Sequence, residues 1–362
     1  MDMTSRRRRP AVVRRHRRRW KTTGRRRRPT PKPPPPPPPG STTSPRRCSS
    51  TSSASCRSAR VCKFWRRLAR DRCLWKNVDL TPYKLDARTL RQVLRRHGSA
   101  ALHSLSLRSS LLHRQASRRH VLTDAVLREV GRSSPSLHTL DISHANLRHL
   151  SFAMLPASLR TLRLGMCEMP RDWLSRCDSV GPRLTCLEVA NVPSFSNDAL
   201  VDAARGLPLT ALSLSLAYRV TDNGLHASCE NFGALQRLRL SQGSITDLGL
   251  HHICRHMPAL RKLELFRSNK LTDVGLACFG RSLPLLSTLV LSGCAFTAKG
   301  IGQACRELPA LRRLDLAELQ LTEQEVEQIR RTLPKCNIVL REPPERNPPG
   351  GLLQAQVFVG RN

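Results

Sequence analysis

The sequence predicts an α/β solenoid in which parallel strands line the inside and helices line the outside. Two observations lead to this fold class: a Leu-x-x-Leu-x-Leu frame returns along most of the chain, and a helix-start phrase follows many of the frames. A third observation is that a proline or glycine stands shortly before most of the next frames, where a helix would end. One strand, one turn and one helix then form one coil, and stacked coils share a core.

The leucine frame recurs at a nearly constant step. From Leu159 to Leu311 the steps are 25 or 26 residues, as in leucine-rich repeats. Because side chains alternate along a strand, we expect Leu263 and Leu265 to point into the core and their neighbours to point outward. The frames begin at Leu102, Leu137, Leu159, Leu184, Leu209, Leu235, Leu260, Leu286 and Leu311.

A phrase resembling Leu-Thr-Asp-x-Gly-Leu, clearest at residues 271–276, follows the later frames. Its threonine is suited to cap a helix, and its aspartate is favourably placed near the positive end of the helix dipole. Thr322 and Glu325 have the spacing of a capping box. We expect the helices to end at Pro135, Pro182, Gly233, Pro258, Pro284 and Pro309, and residues 336–340 to form a capping strand.

Residues 1–58 differ from the rest of the chain because they combine arginine runs, seven consecutive prolines and a serine-rich stretch. The first 60 residues carry about half of the net charge of +36. Such a segment lacks the apolar surface needed to offset the entropy of ordering, so we expect disorder. Its arginine runs fit a nuclear import signal, a weak RNA-binding arm, or an atypical segment joined to a normal protein. The proline run fits a solvated spacer or a polyproline ligand.

Three further segments follow. Residues 59–98 show apolar residues at helical spacing and should contain two short helices, the first around Val61, Trp65 and Leu68 and the second around Leu90 and Leu94. Residues 99–341 hold the repeats. Residues 342–362 are polar and rich in proline, and we expect a loose tail.

The sequence shows no motif that would support catalysis. It contains no phosphate-binding loop, nucleophile elbow or dinucleotide fingerprint. His252 and His256 stand one helical turn apart, but Ile253 replaces the glutamate that a zincin requires, so we expect a structural helix and neither metal nor cofactor. Cys229, Cys254 and Cys305 each lie six residues before the next frame, which predicts buried packing positions.

Other features bear on the compartment and the partners. Thirteen cysteines, an odd number, and the lack of a cleavable apolar leader predict a reducing compartment, cytoplasmic or nuclear. No stretch is apolar enough for a membrane span. Aromatic residues make up only 4% of the chain, which argues against a nucleic-acid surface apart from weak binding through the N-terminal arginines.

We expect function on the outward strand positions, which mix both charges with small residues, as protein-binding surfaces do. Any single outward residue is equally compatible with an ordinary solvated face. The candidate substrate-binding residues are Arg163, Glu188, Arg237, Arg239, Lys262, Glu264, Phe266, Arg313 and Asp315.

Residues 59–80 resemble the second half of an F-box, through Arg60-Val61-Cys62, Trp65, Leu68, Asp71, Leu74-Trp75 and Val78. Together with the repeats, this makes the chain similar to the F-box and leucine-rich-repeat family. Phrases such as Val78-Asp79-Leu80-Thr81 and Leu333-Pro334-Lys335-Cys336 match that family in order and spacing. The resemblance covers about residues 59–341.

The resemblance implies a non-catalytic adaptor of a Skp, cullin and F-box ubiquitin ligase, which leads its substrate towards proteasomal degradation. It implies that the F-box docks on the Skp adaptor, and through it on cullin, while the repeats hold a protein substrate. The adaptor-binding residues carried over are Val61, Trp65, Leu68, Leu74 and Trp75. Proline and serine runs stand where the family's F-box opens, so we expect the first half of the docking surface to be missing. The alternative is a binding or inhibitory scaffold outside any ligase.

Overall fold

A parallel sheet of eleven strands runs through the part of the chain that the computed structural model describes: residues 72–83, 85–109, 122–175, 177 and 183–340. The predicted disorder of residues 1–58, the helix around Val61 and Leu68, and the tail after residue 341 lie outside the described residues.

The strands follow one another across the sheet in chain order, each parallel to the next. Each frame predicted from the sequence supplies one strand, so the α/β solenoid is confirmed. The strands are β1 (Asn77–Asp79), β2 (Ser104–Arg108), β3 (Thr139–Ser143), β4 (Thr161–Gly165), β5 (Cys186–Ala190), β6 (Ala211–Ser215), β7 (Arg237–Ser241), β8 (Lys262–Phe266), β9 (Thr288–Ser292), β10 (Arg313–Asp315) and the predicted capping strand β11 (Asn337–Val339).

Helices return the chain on the outer side. The α-helices are α1 (Ala87–His97), α2 (Asp124–Ser133), α3 (Asn197–Gly206), α4 (Asp222–Ser228), α5 (Asp247–His256), α6 (Asp273–Leu276), α7 (Phe279–Ser282), α8 (Ala298–Arg306) and α9 (Glu323–Thr332), with 3-10 turns at Arg72–Trp75, Phe152–Met154 and Cys229–Phe232. The helix expected before Pro182 is not formed by the described residues there, since 171–175 are turns. No helix in the described ranges combines the length and apolar character of a bilayer span.

One apolar core runs along the stack between the sheet and the helices. Leu263 and Leu265 are fully buried in it, as the frame predicts. Burial of each such leucine contributes roughly 1.5 to 3 kcal/mol, and one coil alone has no second surface against which to bury them. The coils therefore depend on their neighbours.

A polar ladder joins successive helix starts. Both carboxylate oxygens of Asp222 accept hydrogen bonds from the next coil, from the backbone N–H of Thr246 at 2.9 Å and from its hydroxyl at 2.7 Å. Asp247 accepts in the same way from Thr272, at 2.8 and 2.5 Å. The sequence predicted these aspartates only as partners of the helix dipole. Their larger role is to satisfy the cap of the following coil.

Glycine in the same phrase makes room for this ladder. A Cβ on Gly249 would overlap Oδ1 of Asp222, and a Cβ on Gly275 would come within 2.5 Å of Oδ1 of Asp247. Real Cβ atoms do not approach oxygen so closely, so a larger residue would have to displace the carboxylate. The recurring Asp and Gly of the phrase are therefore two halves of one contact between coils.

The residue directly after each strand from β3 to β9 has a positive φ, between 45° and 54° in six non-glycine residues and 63° in Gly293; Glu318, three residues after β10, has a φ of 61°. In this left-handed conformation the amide continues the backbone hydrogen bonding between adjacent strands: Leu216 N–H donates to Ser241 O at 2.9 Å. A left-handed residue with a side chain is disfavoured by roughly 1 to 2 kcal/mol. The non-glycine residues are His144, Met166, Asn191, Leu216, Gln242, Arg267 and Glu318.

Candidate functional site

The candidate site is the exposed face of the sheet, called here the inner wall and defined as the outward side chains of β2 to β10 with the residue just before each strand. The register brings equivalent residues side by side: Arg237 pairs with Lys262, and Arg239 with Glu264. Neighbouring strands lie about 4.8 Å apart, so charges on adjacent strands act on one another. The wall is therefore one continuous surface.

Several of the predicted substrate-binding charges pair with each other. Arg163 Nε lies 3.0 Å from Glu188 Oε2 across β4 and β5, and Lys262 Nζ lies 3.1 Å from Glu264 Oε1 within β8. Such half-exposed pairs contribute little to stability, at most about 1 kcal/mol. They do lower the net charge that each pair presents to a partner.

Asp315 departs from the sequence expectation. It was predicted as an outward, substrate-facing residue, yet only 8% of it is exposed. One of its carboxylate oxygens accepts from the amide of Ala317 at 3.3 Å, and the other lies 3.7 Å from Arg313. Asp315 therefore orients Arg313 and the strand end, and Arg313 is the member of the pair that reaches solvent.

Arg239 and Phe266 form one contact on the wall. The guanidinium of Arg239 lies 4.3 Å from the centre of the Phe266 ring, in a cation–π arrangement. The contact holds the arginine over β8 and covers the ring face. Arg237, on the same strand, is exposed and makes no ion pair with any described residue.

Two basic residues of the wall were missed by the sequence analysis. Arg261 and Arg312 stand just before β8 and β10 and are exposed. The sequence analysis considered only the two outward positions within each strand. The backbone hydrogen bonds between coils begin one residue earlier: Ser287 N–H donates to Arg261 O at 2.9 Å. The position before each strand is thus a third column, visible in sequence as the residue after the first leucine of each frame.

The predicted adaptor-binding residues are only partly described. Val61, Trp65 and Leu68 lie outside the described residues. Leu74 is 56% exposed, so its side chain is accessible to a partner. The ring of Trp75 stacks on His97 of α1 at 4.1 Å between ring centres, so it also packs the first coil.

The thiols of the repeat cysteines are buried as predicted. Burial raises the pKa of Cys229 and of Cys305 to about 12, so both stay protonated at neutral pH. The Sγ atoms of Cys254 and Cys278 lie 2.6 Å apart in adjacent coils. This hydrogen bond raises the pKa of Cys254 and lowers that of Cys278.

The described residues offer a surface and not a small-molecule pocket. The two best-formed cavities each hold about 10 Å³, one between the loops after β6, β7 and β8 and one beside Trp75. Small-molecule sites commonly have roughly 300 to 1,000 Å³. In the same ranges, no three His, Cys, Asp or Glu side chains are placed to share a metal ion.

Comparison with protein-family models gave no match. Among curated proteins, the chain is similar to human F-box/LRR-repeat protein 12, with 35% identity over 299 residues that cover 80% of this chain and 91% of the human protein. The bovine (Bos taurus) and mouse (Mus musculus) proteins of the same name are each 34% identical over 303 residues, with the same coverages. The family resemblance predicted from the sequence phrases is confirmed.

Solved structures with a similar course of the chain include one from the yeast Rad7 and Elc1 complex, with a TM-score of 0.39 and 15% identity. That match covers 81% of this chain and 93% of the other. An internalin from Listeria monocytogenes has a TM-score of 0.43 and 16% identity, and the match covers 68% of this chain and 69% of the internalin.

Proposed function

Because the chain belongs to the F-box/LRR-repeat family, we propose that it is the substrate-recognition subunit of a Skp, cullin and F-box ubiquitin ligase. In this role it performs no bond chemistry. It holds a target protein close to the ubiquitin-charged partner, and the gain in rate comes from proximity and orientation. The outcome for the target is ubiquitination and proteasomal degradation, in the cytoplasm or the nucleus.

The observation that supports this role best is the open inner wall. Nine adjacent strands present a continuous surface of both charges and small residues, and the two best-formed cavities among the described residues are too small for a metabolite. Interfaces with proteins have this mixed composition, whereas small ligands need enclosed volume. We assign the protein substrate to the inner wall.

The proposed contact with the Skp adaptor lies near the N-terminal end of the described residues. Leu74 projects from the 3-10 turn Arg72–Trp75, within the segment that resembles the second half of an F-box. An exposed leucine gains roughly 1.5 to 3 kcal/mol when a partner buries it. We assign to Leu74 a direct contact with the Skp adaptor.

A capture experiment tests this role. The tagged full chain should recover the Skp adaptor and cullin from purified components, and Leu74→Asp should abolish recovery because it introduces a charge into the contact. Leu340→Asp is the matched control, since Leu340 is 44% exposed after the last strand of the solenoid. The role is rejected if neither the full chain nor residues 59–341 fused to an intact F-box start recovers the adaptor.

A second candidate role is a binding or inhibitory scaffold that holds a target without delivering it. It is favoured by the proline and serine runs at the place where the family's F-box opens. In that case the full chain recovers no cullin, while its fusion to an intact F-box start does.

A further inference from the structure

Charge is unevenly distributed along the inner wall. From β2 to β6 the wall carries three basic and two acidic side chains, for a net charge of +1. From β7 to β10 it carries six basic and two acidic side chains, for a net charge of +4. The first set is Arg108, Asp141, Arg160, Arg163 and Glu188, and the second is Arg237, Arg239, Arg261, Lys262, Glu264, Arg312, Arg313 and Asp315.

Four of the six basic side chains of the second set flank a gap between β8 and β10. Arg261 and Lys262 stand on one side, at β8, and Arg312 and Arg313 stand on the other, at β10. Level with them, between the two pairs, stand the small residues Thr288 of β9 and Ser287 just before it. Two strand spacings separate the basic pairs, about 10 Å, so long arginine side chains from both sides can reach one anion above β9. The basic notch is defined by six residues: Arg261, Lys262, Ser287, Thr288, Arg312 and Arg313.

The acidic residues of this region neutralise only part of the notch. Glu264 is engaged by Lys262 at 3.1 Å and Asp315 faces Arg313 at 3.7 Å. Arg261 and Arg312 are exposed and form no ion pair with any described residue. Their guanidinium forks are therefore available for bidentate hydrogen bonds to a carboxylate or a phosphate.

The chemistry of the notch favours a peptide over a nucleic acid. Single-stranded nucleic acid binds where aromatic faces stack on bases, and the one aromatic ring of this stretch of wall, Phe266, is covered by Arg239. Glu264 and Asp315 also interrupt the basic track that a phosphate backbone would follow. From β7 to β10 the wall spans three strand spacings, about 14 Å, which equals roughly four residues of extended peptide.

We propose that the basic notch binds an anionic side chain of an extended acidic peptide, seated over Ser287 and Thr288 between Arg261 and Arg312. This inference rests on the proposed function, because it names the class of substrate segment that the inner wall recognises. The shared chemistry is a carboxylate or a phosphate, and Arg237 serves the neighbouring anionic residue towards β7.

Fluorescence anisotropy with the full chain tests the proposal. The probes are a labelled peptide with a short run of glutamates, its glutamine counterpart, a phosphothreonine peptide of otherwise neutral sequence, and a mixed-sequence single-stranded RNA. Arg261→Glu with Arg312→Glu should weaken binding of the anionic peptide about tenfold or more, because each change replaces a guanidinium that hydrogen-bonds to the anion with a carboxylate that repels it. The glutamate and phosphothreonine probes show which anion is preferred.

The matched control is Arg255→Glu with Arg281→Glu. Both residues are exposed on the outer helices, so the net charge changes equally while the notch is untouched. Thr288→Glu places a carboxylate in the notch itself and should compete with the peptide. The milder Arg261→Gln with Arg312→Gln serves if the glutamate variant does not fold.

Three outcomes overturn the proposal: equal weakening by notch and outer-helix variants, equal affinity for the glutamate and glutamine peptides, or dependence on the notch for the RNA alone. Capture of the Skp adaptor by the same variants separates this inference from the proposed function. If capture persists while notch dependence is absent, the peptide class is wrong and the ligase role stands. If capture fails in every form while the notch still binds the peptide, the ligase role is wrong and the peptide-binding notch stands.

Discussion

The two halves of the solenoid close their coils by different means. From α3 to α8, the regular half, each helix start except that of the short α7 is tied to the next by an Asp or Asn side chain bonded to a threonine, as in Asp273 to Thr297 at 2.9 Å. Between β3 and β5, the irregular half, the coils have a 3-10 turn and plain turns in place of helices, and the buried side chain of Trp173 fills the space that a helix would occupy. Its Nε1–H donates to Leu150 O at 2.7 Å, and its ring meets Phe152 edge-on at 5.4 Å.

This difference shows that the repeat requires a buried leucine frame but not a particular outer layer. In the regular half the polar contact is repeated, so its loss at one coil leaves the neighbouring contacts in place. In the irregular half Trp173 fills the volume and satisfies the carbonyl of Leu150, and a contact of the ladder type joins the carboxylate of Asp124 to the amide of Ser151 at 3.1 Å. A substitution there should have an effect concentrated in one residue.

The largest expected effect concerns the feature that the halves share. Leu263→Asp in the regular half and Leu162→Asp in the irregular half should each lower the free energy of unfolding by about 4 kcal/mol or more, because each puts an unpaired charge between coils. Urea denaturation measures it, with Ser213→Asp on the inner wall as a control that changes it by about 0.5 kcal/mol at most. A mild effect at Leu162 alone would show that the irregular coils do not share the core.

The next effect separates the halves. Trp173→Ala should lower the free energy of unfolding by about 3 to 5 kcal/mol, through loss of buried ring contacts and of the hydrogen bond to Leu150. Tyr218→Ala is the matched control, since Tyr218 is 60% exposed and should be nearly neutral. Equal effects at the two positions would contradict the filling role of Trp173.

A smaller effect probes the ladder of the regular half. Gly249→Ala should cost about 2 kcal/mol, because the new Cβ displaces the Asp222 carboxylate from Thr246. Gly243→Ala has no atom within 4 Å of the added Cβ and should be neutral or slightly stabilising. Thermal unfolding of the two variants side by side measures the difference, and equal midpoints would rule out the steric coupling of Gly249 to Asp222.

The sequence predicted the regular features well because they repeat. The frame gave the inward leucines, and the spacing of Thr322 and Glu325 predicted the capping box that the structure contains. The ladder was missed because its partners are separated by a whole coil, as Asp222 and Thr246 are. A periodicity argument compares equivalent positions and says nothing about which unlike positions touch.

The inner wall was predicted as a surface but not in its charge pattern. Which carboxylate neutralises which arginine depends on the strand register and on rotamers, as for Glu188 with Arg163. The burial of Asp315 follows from the amide of Ala317 that it accepts, a contact of the turn after β10. The basic notch also required the residue before each strand, which alternation within the strand leaves out.

The smallest effect concerns the place where the ladder ends. Ala298 stands where the earlier coils have an aspartate, so the amide of Thr322 has no such partner in the preceding coil and donates instead to Glu325 Oε2 of its own helix at 2.8 Å. Thr322→Ala should lower the free energy of unfolding by about 1 kcal/mol, the usual value of a cap. Glu325→Gln at neutral pH is the companion variant.

Acid titration distinguishes this local cap from the ladder. Hydrogen bonds from Thr322 lower the pKa of Glu325 below its ordinary value of 4.5. The contribution of the ionised carboxylate is thus complete above the unfolded-state pKa and is lost as the pH falls through the lower folded-state pKa. Stability measured from pH 6 downward should therefore fall less steeply in Thr322→Ala than in the parent chain. Parallel curves would show that the Thr322 hydroxyl contributes nothing to the ionisation of Glu325 and that the backbone amide of residue 322 alone lowers the pKa of this carboxylate.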